Sequence, residues 1–170
     1  SELLRSVPGV LERFWDMFVV DAFIKNPDRN NGNWGVLMDA SFAYELAPVY
    51  DLGSALFSKR GDSLAERRMH DETDIEQDAF GTNVSCYRLP AGEGKSAAIH
   101  PFAYMAETVN PDLDAAIDRF LRAVDMDEIE ELVDGVPGEA YGRPLMSEAA
   151  KASHKLLLRH RLDEGFARLR

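Results

Sequence analysis

From Val10 the chain reads VLERFWDMFVVDAFIKN, and Leu11, Phe14, Trp15, Phe18, Val19 and Ala22 recur at helical spacing. That periodicity predicts a helix with a wide apolar face, too rich in large side chains to stay in water. Pro27 ends it, because proline has no N–H to donate and restricts Asn26 before it. Residues 26–33, NPDRNNGN, are turn formers and charged groups, so a tight polar loop is expected next. WGVLMD and YELAPVYD then form two short extended stretches on either side of residues 40–43, readable as a hairpin. Pro48 puts the second strand at the periphery or ends it there. Asp51 stands at the hairpin's exit, and the order helix, loop, hairpin brings the two polar ends together.

The remainder is patterned mainly for helices. Residues 59–80 are the most charged stretch and are expected to run from a surface loop into an exposed or amphipathic helix, with the acidic run from Asp71 to Asp78 as a solvated face. Residues 81–105 carry Pro and Gly at intervals and read as irregular connection with one short helix. After Asn110-Pro111, the run DLDAAIDRFLRAV sets Leu113, Ala116, Ile117, Phe120, Leu121 and Val124 on one face, with an aspartate before the first turn as cap. A shorter helix, MDEIEELVDGV, closes near Gly135. A long one is expected from Pro144 to about Leu162, with Leu145, Ala149, Ala152, Leu156 and either Leu157 or His160 along one side. The expected fold class is therefore mostly α with a small β-hairpin, and there is no repeat or low-complexity tract.

Composition narrows the partners. The 170 residues carry 19 Lys plus Arg against 30 Asp plus Glu, a formal charge of -11, which repels phosphate backbones. A nucleic-acid partner is not expected for this chain alone. With Cys86 as the one cysteine, no internal disulfide forms, which agrees with a reducing compartment. Charges interrupt every apolar run, so neither a signal peptide nor a membrane span is expected, and the cytoplasm is the expected address. The initial Ser suggests a chain that begins inside a longer product.

Asp28, Asn33 and Asp51 are the residues with chemistry to offer. Phosphoryl transfer requires a carboxylate that accepts or orients the substrate hydroxyl, and oxygen ligands that hold Mg2+ against the ATP phosphates. Mg2+ favours a few protein oxygens supplemented by water and phosphate, so Asn33 with Asp51 is a sufficient ligand pair. Asp28 would face the incoming hydroxyl, and Asn31-Gly32 would turn the loop so that residues 28 and 33 share one volume. A calcium loop fits poorly: Gly32 comes one residue too early and position twelve is Asp39 rather than Glu. His70, His100, His154 and His160 make no zinc spacing with each other or with Cys86. Trp15 and Trp34 read as core aromatics, with Trp34 also placed to pack beneath Asn33. Asp21 is placed to brace the loop from the helix.

The run FVVDAFIKNPDRNNGNWGVL followed by YELAPVYDLGSAL resembles the C-terminal lobe of HipA-like serine/threonine protein kinases. Their catalytic loop has the form Asp, a residue, His, two residues, Asn, and a hairpin leads from it to a Pro-x-Tyr-Asp metal-binding segment. The resemblance covers about residues 10–57. It implies that Asp28 is the catalytic aspartate and that Asn33 and Asp51 bind the metal and cofactor, with residues 21–57 the working part of a 1–170 lobe. It also implies ATP and Mg2+ as cofactors, a protein Ser/Thr acceptor, and a bacterial toxin-antitoxin setting with an antitoxin-like regulator. Asn30 replaces the usual His: it can donate a hydrogen bond but cannot carry charge, which leaves a pseudokinase as an alternative. Lipid and small-molecule kinases share the Asp, Asn, Asp logic and are the other alternative. No Gly-rich strand-loop-strand with a strand lysine precedes Val10, so the N-terminal nucleotide-binding lobe is expected in cis or trans. GEGKS at 92–96 lacks the spacing of a phosphate-binding loop, and Lys25, in the last turn of the helix, is a poor substitute for the missing lysine.

Overall fold

The structure, a computed structural model, describes residues 7–57, 61–81 and 85–169. Helix α1 (Val10–Phe23) buries Met17, Phe18, Val19, Ala22 and Phe23. A 14-residue helix is marginal alone in water, and what holds this one is burial worth about 1.5–3 kcal/mol for each large side chain. Its partner is α5 (Pro111–Ala123), whose Leu113, Ala116 and Ile117 meet Phe18, Val19, Ala22 and Phe23. Arg119 of α5 reaches Asp16 of α1 at 2.7 Å and fixes the pair along its edge. Leu11, expected on the apolar face, is 54 % exposed, whereas Val10 beside it is buried.

Among the described residues, three two-stranded antiparallel hairpins interrupt the helices. The first, β1 (Val36–Met38) with β2 (Tyr44–Leu46), matches the expected hairpin and pairs Val36 with Leu46 and Met38 with Tyr44. The second, β3 (Ser85–Pro90) with β4 (Ser96–Ile99), corrects the reading of this stretch as irregular connection. Its alternation is weak because most of its residues are exposed, so hydrophobic period gave no signal. Residues 92–94 form its turn with left-handed backbone, and the N–H of Lys95 donates to the Gly92 carbonyl. A strand does feed GEGKS, but another strand follows where a phosphate-binding loop would open a helix. The third hairpin, β5 (Glu139–Ala140) with β6 (Arg143–Pro144), is minimal.

Between the first two hairpins lie α2 (Asp62–Arg68), α3 (Glu72–Glu76) and a wide turn over Gln77–Gly81. Asp78, expected on a solvated face, is buried and ion-paired with Arg68, which also donates to Ser153 Oγ at 3.2 Å. The short helix expected before residue 105 is α4 (Pro101–Glu107). The cap of α5 is Asn110, not an aspartate: its Oδ1 accepts from the N–H groups of Asp112 and Leu113, with Pro111 at the first helical position. Helix α6 (Met126–Asp134) is capped by Asp125.

Helix α7 (Glu148–His160), capped by Ser147, starts later than expected because Pro144 belongs to β6, and it runs on through a wide-turn segment, Arg161–Phe166. Its buried face differs in part, although Leu157 is buried as one of the two residues expected there. Leu145 and Leu156 are exposed, while Lys151, Ser153, Leu157 and Leu158 point inward. Gly165 is required there, since a Cβ would lie 2.6 Å from the Phe102 ring. Among the described residues no helix is long and apolar enough to cross a membrane.

Candidate active site

Helix α1 ends at Phe23, and the chain leaves it through Lys25, whose φ of 53° reverses the direction. Buried Lys25 sends Nζ to the carbonyl of Asp78, into the body of the lobe and away from the loop. Asn26, also buried, donates from Nδ2 to Asp21 Oδ1 at 2.9 Å, and its own Oδ1 accepts from the N–H of Asp28 at 3.3 Å. The start of the polar loop is thus tied back onto the last turns of α1.

Arg29 organises the rest of the loop. Its side chain is only 4 % exposed, and its Nε and Nη2 bond the two carboxylate oxygens of Asp21 at 2.8 and 3.1 Å. Its Nη1 donates to two carbonyls, Asn33 at 2.8 Å and Tyr50 at 2.6 Å. Burial works against the guanidinium charge, but the hydrogen bond and charge of Asp21 outweigh it, with lesser help from Tyr87 and Asp51, and the pKa ends above the ordinary arginine value. Asp21 thus accepts from the loop at two residues, Asn26 and Arg29, the latter overlooked by sequence reasoning. The signal available was an arginine among turn formers, eight positions after a helical Asp.

Within the loop, Asn30 donates from Nδ2 to Asp28 Oδ1 at 3.2 Å and accepts from the N–H of Gly32 at 2.8 Å. Asn33 is buried and its Nδ2 donates to the Asp28 carbonyl. That leaves Asn33 Oδ1 without a hydrogen bond among the described residues. Asp28 is exposed, with Oδ2 equally uncommitted. Cys86 Sγ donates to the Arg29 carbonyl at 2.8 Å, and the thiol pKa is raised, chiefly by burial and then by the charges of Asp28 and Asp21.

Asp51 is exposed and has a left-handed backbone, φ 57°, uncommon for a side chain with a Cβ. Two bonds bring its segment to the loop: Arg29 to the Tyr50 carbonyl, and Tyr50 Oη to the Gly32 carbonyl at 3.0 Å. Trp34 is half-buried, 5.9 Å from the Phe14 ring, with its indole near the buried Tyr87 hydroxyl. Among the described residues no hydrogen bond joins it to the Asn33 side chain. His70 and His100 are exposed, and among the described residues no three His, Cys, Asp or Glu side chains converge as metal ligands. The oxygen of Asn33 and the carboxylate of Asp51 are hard donors, few in number, which suits an ion that completes its shell with phosphate and water.

The fold, mostly helical with a few short hairpins, is that of a HipA-like kinase C-terminal lobe. The sequence match is to the serine/threonine-protein kinase CtkA of Helicobacter pylori (strain J99), 32 % identical over 162 residues, which are 92 % of this chain and 44 % of that protein. A crystal structure of a Helicobacter pylori proinflammatory kinase CtkA superposes with a TM-score of 0.81 at 27 % identity, over 94 % of this chain and 55 % of that one. The chain thus spans less than half the length of the curated relative it matches. No protein-family model matches it.

Proposed function

We propose that this chain is the catalytic lobe of a kinase that transfers the ATP γ-phosphate to a Ser or Thr hydroxyl of a protein acceptor. The observation that carries the reading is the convergence of two separate segments, 28–33 and 50–51, through the single guanidinium of Arg29. Asp28 presents an exposed carboxylate, one oxygen held by Asn30 and the other open to take the hydroxyl proton. Asn33 and Asp51 would hold Mg2+, and Asn33 would do so through the oxygen its own hydrogen bonds leave vacant. When bound, the ion supplies charge neutralisation on the phosphate oxygens. Asn30 takes over the positioning part of the family histidine's role, with no positive charge.

Lys25 is committed to the Asp78 carbonyl and does not stand in for the lysine of a nucleotide-binding lobe. A nucleotide-binding lobe in cis or trans, cytoplasmic location and an antitoxin-like regulator are part of the proposal, supported by the likeness to CtkA and to HipA-like kinases. The test is γ-phosphate transfer from Mg-ATP to Ser/Thr protein acceptors by the full-length parent protein, beside its Asp28→Asn form. Transfer lost in the variant supports the assignment. Tight Mg-ATP binding without transfer in either form favours a pseudokinase, and transfer only to lipids or small molecules moves the acceptor class.

A further inference from the structure

Asn33 and Asp51 stand on different segments, and among the described residues neither side chain bonds the other segment. Their separation is therefore a property of the backbone beneath them. Two bonds cross between the segments. One starts from Tyr50 Oη, on a side chain that is 45 % exposed and has water as a competing partner. The other starts from Arg29 Nη1, dry, and it ends on the carbonyl of Asn33 itself and on the carbonyl of the peptide group that leads into Asp51.

We propose that Arg29 is the positioning residue of the metal site, its guanidinium setting the spacing of Asn33 and Asp51, with Asp21 holding it in register. The proposal rests on the kinase reading above. Its physical basis is the fork. Nε and Nη2 are consumed by the two oxygens of Asp21, which locks the plane, so Nη1 arrives at one point and holds both carbonyl oxygens within the summed length of two hydrogen bonds. A lysine ammonium is a single nitrogen on a flexible stem and cannot meet the carboxylate and both carbonyls in that planar arrangement. The left-handed Asp51 is consistent with this clamp, because such a conformation persists only where the surroundings over-determine it.

The experiment measures Mn2+ binding by electron paramagnetic resonance, with ATP present, on the full-length parent protein and four variants. Arg29→Lys keeps Asp21 paired and loses the fork. The double variant Asp21→Asn with Arg29→Met removes both members of the buried pair, so neither charge is left unpaired, and its folded fraction is read from its unfolding curve. Asp28→Asn and Asp51→Ala are the controls. Outer partners of metal ligands typically change affinity about 10- to 100-fold, and a loss of that size is expected in both Arg29 variants. Asp28→Asn should bind Mn2+ as the wild type does. A merely structural role would lower the melting temperature and leave the dissociation constant of the folded fraction unmoved. Affinity within about twofold of wild type in the folded Arg29 variants, with Asp51→Ala defective, overturns the positioning role and spares the kinase reading. Wild-type affinity in Asp51→Ala removes the metal site and this proposal with it.

Discussion

Arg161 Nε donates to the carbonyl of Phe23 at 2.8 Å, across 138 residues of sequence. The same guanidinium bonds the carbonyls of Ala22 and Ala79, and Arg161 is wholly buried. Burial pushes its pKa down to about 9, so it is still a cation at neutral pH. A positive charge at the C-terminal carbonyls of α1 meets the negative end of the helix dipole just where the chain turns toward the polar loop.

Arg161→Met should therefore cost far more than the loss of one surface charge. It leaves three buried carbonyls without a donor, each worth about 1–3 kcal/mol, and the expected destabilisation is about 3 kcal/mol or more. Urea unfolding measures it. A loss under about 1 kcal/mol would show that water replaces the guanidinium and that the end of α1 is not fixed from the C-terminal segment.

Asp28→Asn should leave stability unchanged within about 0.5 kcal/mol, because the side chain is exposed and has no packing role. Turnover should fall by about 10²- to 10⁴-fold, the range for loss of a general base. Asn30→Ala acts one step back: it frees Asp28 Oδ1 and the N–H of Gly32. Its expected signature is a lower kcat with KM for ATP unchanged. A variant that alters KM alone would place Asn30 with the nucleotide instead.

The sequence carried those parts of the molecule whose causes are local. Helix α1 followed from its apolar period, the first hairpin from two extended runs, and the loop from its turn residues; the structure places Asp28, Asn33 and Asp51 on the elements expected for them. Arg161 was illegible, because its partners lie in distant parts of the chain and a buried arginine looks in sequence like any solvated one, whereas Arg29 was overlooked although Asp21 stands only eight positions before it. Asp78 was misread because its buried pairing with Arg68, ten positions earlier, leaves no mark in the hydrophobic pattern. Hairpin β3–β4 was missed because both its faces are largely wet, and the period that betrays a half-buried strand is absent there.

Asp51→Gly separates strain from function. Glycine adopts the left-handed backbone of this position freely, whereas an Asp there costs about 1 kcal/mol or more. Greater freedom of the unfolded glycine chain offsets part of the gain, by about 0.4–1 kcal/mol. The variant should be no less stable than wild type and should bind Mg-nucleotide much more weakly. A stability loss above about 1 kcal/mol would mean that the Asp51 side chain has a structural duty, since relief of strain would then be outweighed.

His154 is half-buried on α7, and its Nδ1 has no hydrogen-bond partner among the described residues. Burial first, and then the nearby charge of Arg68, lower its pKa below the ordinary 6.5. The sign depends on which state takes the proton. As pH falls through 6.5 the unfolded chain protonates while the folded one does not, so stability declines with pH until the lowered folded value is passed. Above 6.5 both states are neutral and His154 contributes no slope. His154→Gln removes this contribution, so its unfolding free energy should drop less than that of wild type between about pH 7.5 and pH 5. Urea midpoints at the two pH values decide it: parallel losses in both proteins would mean that folded His154 takes up its proton as readily as the unfolded chain does.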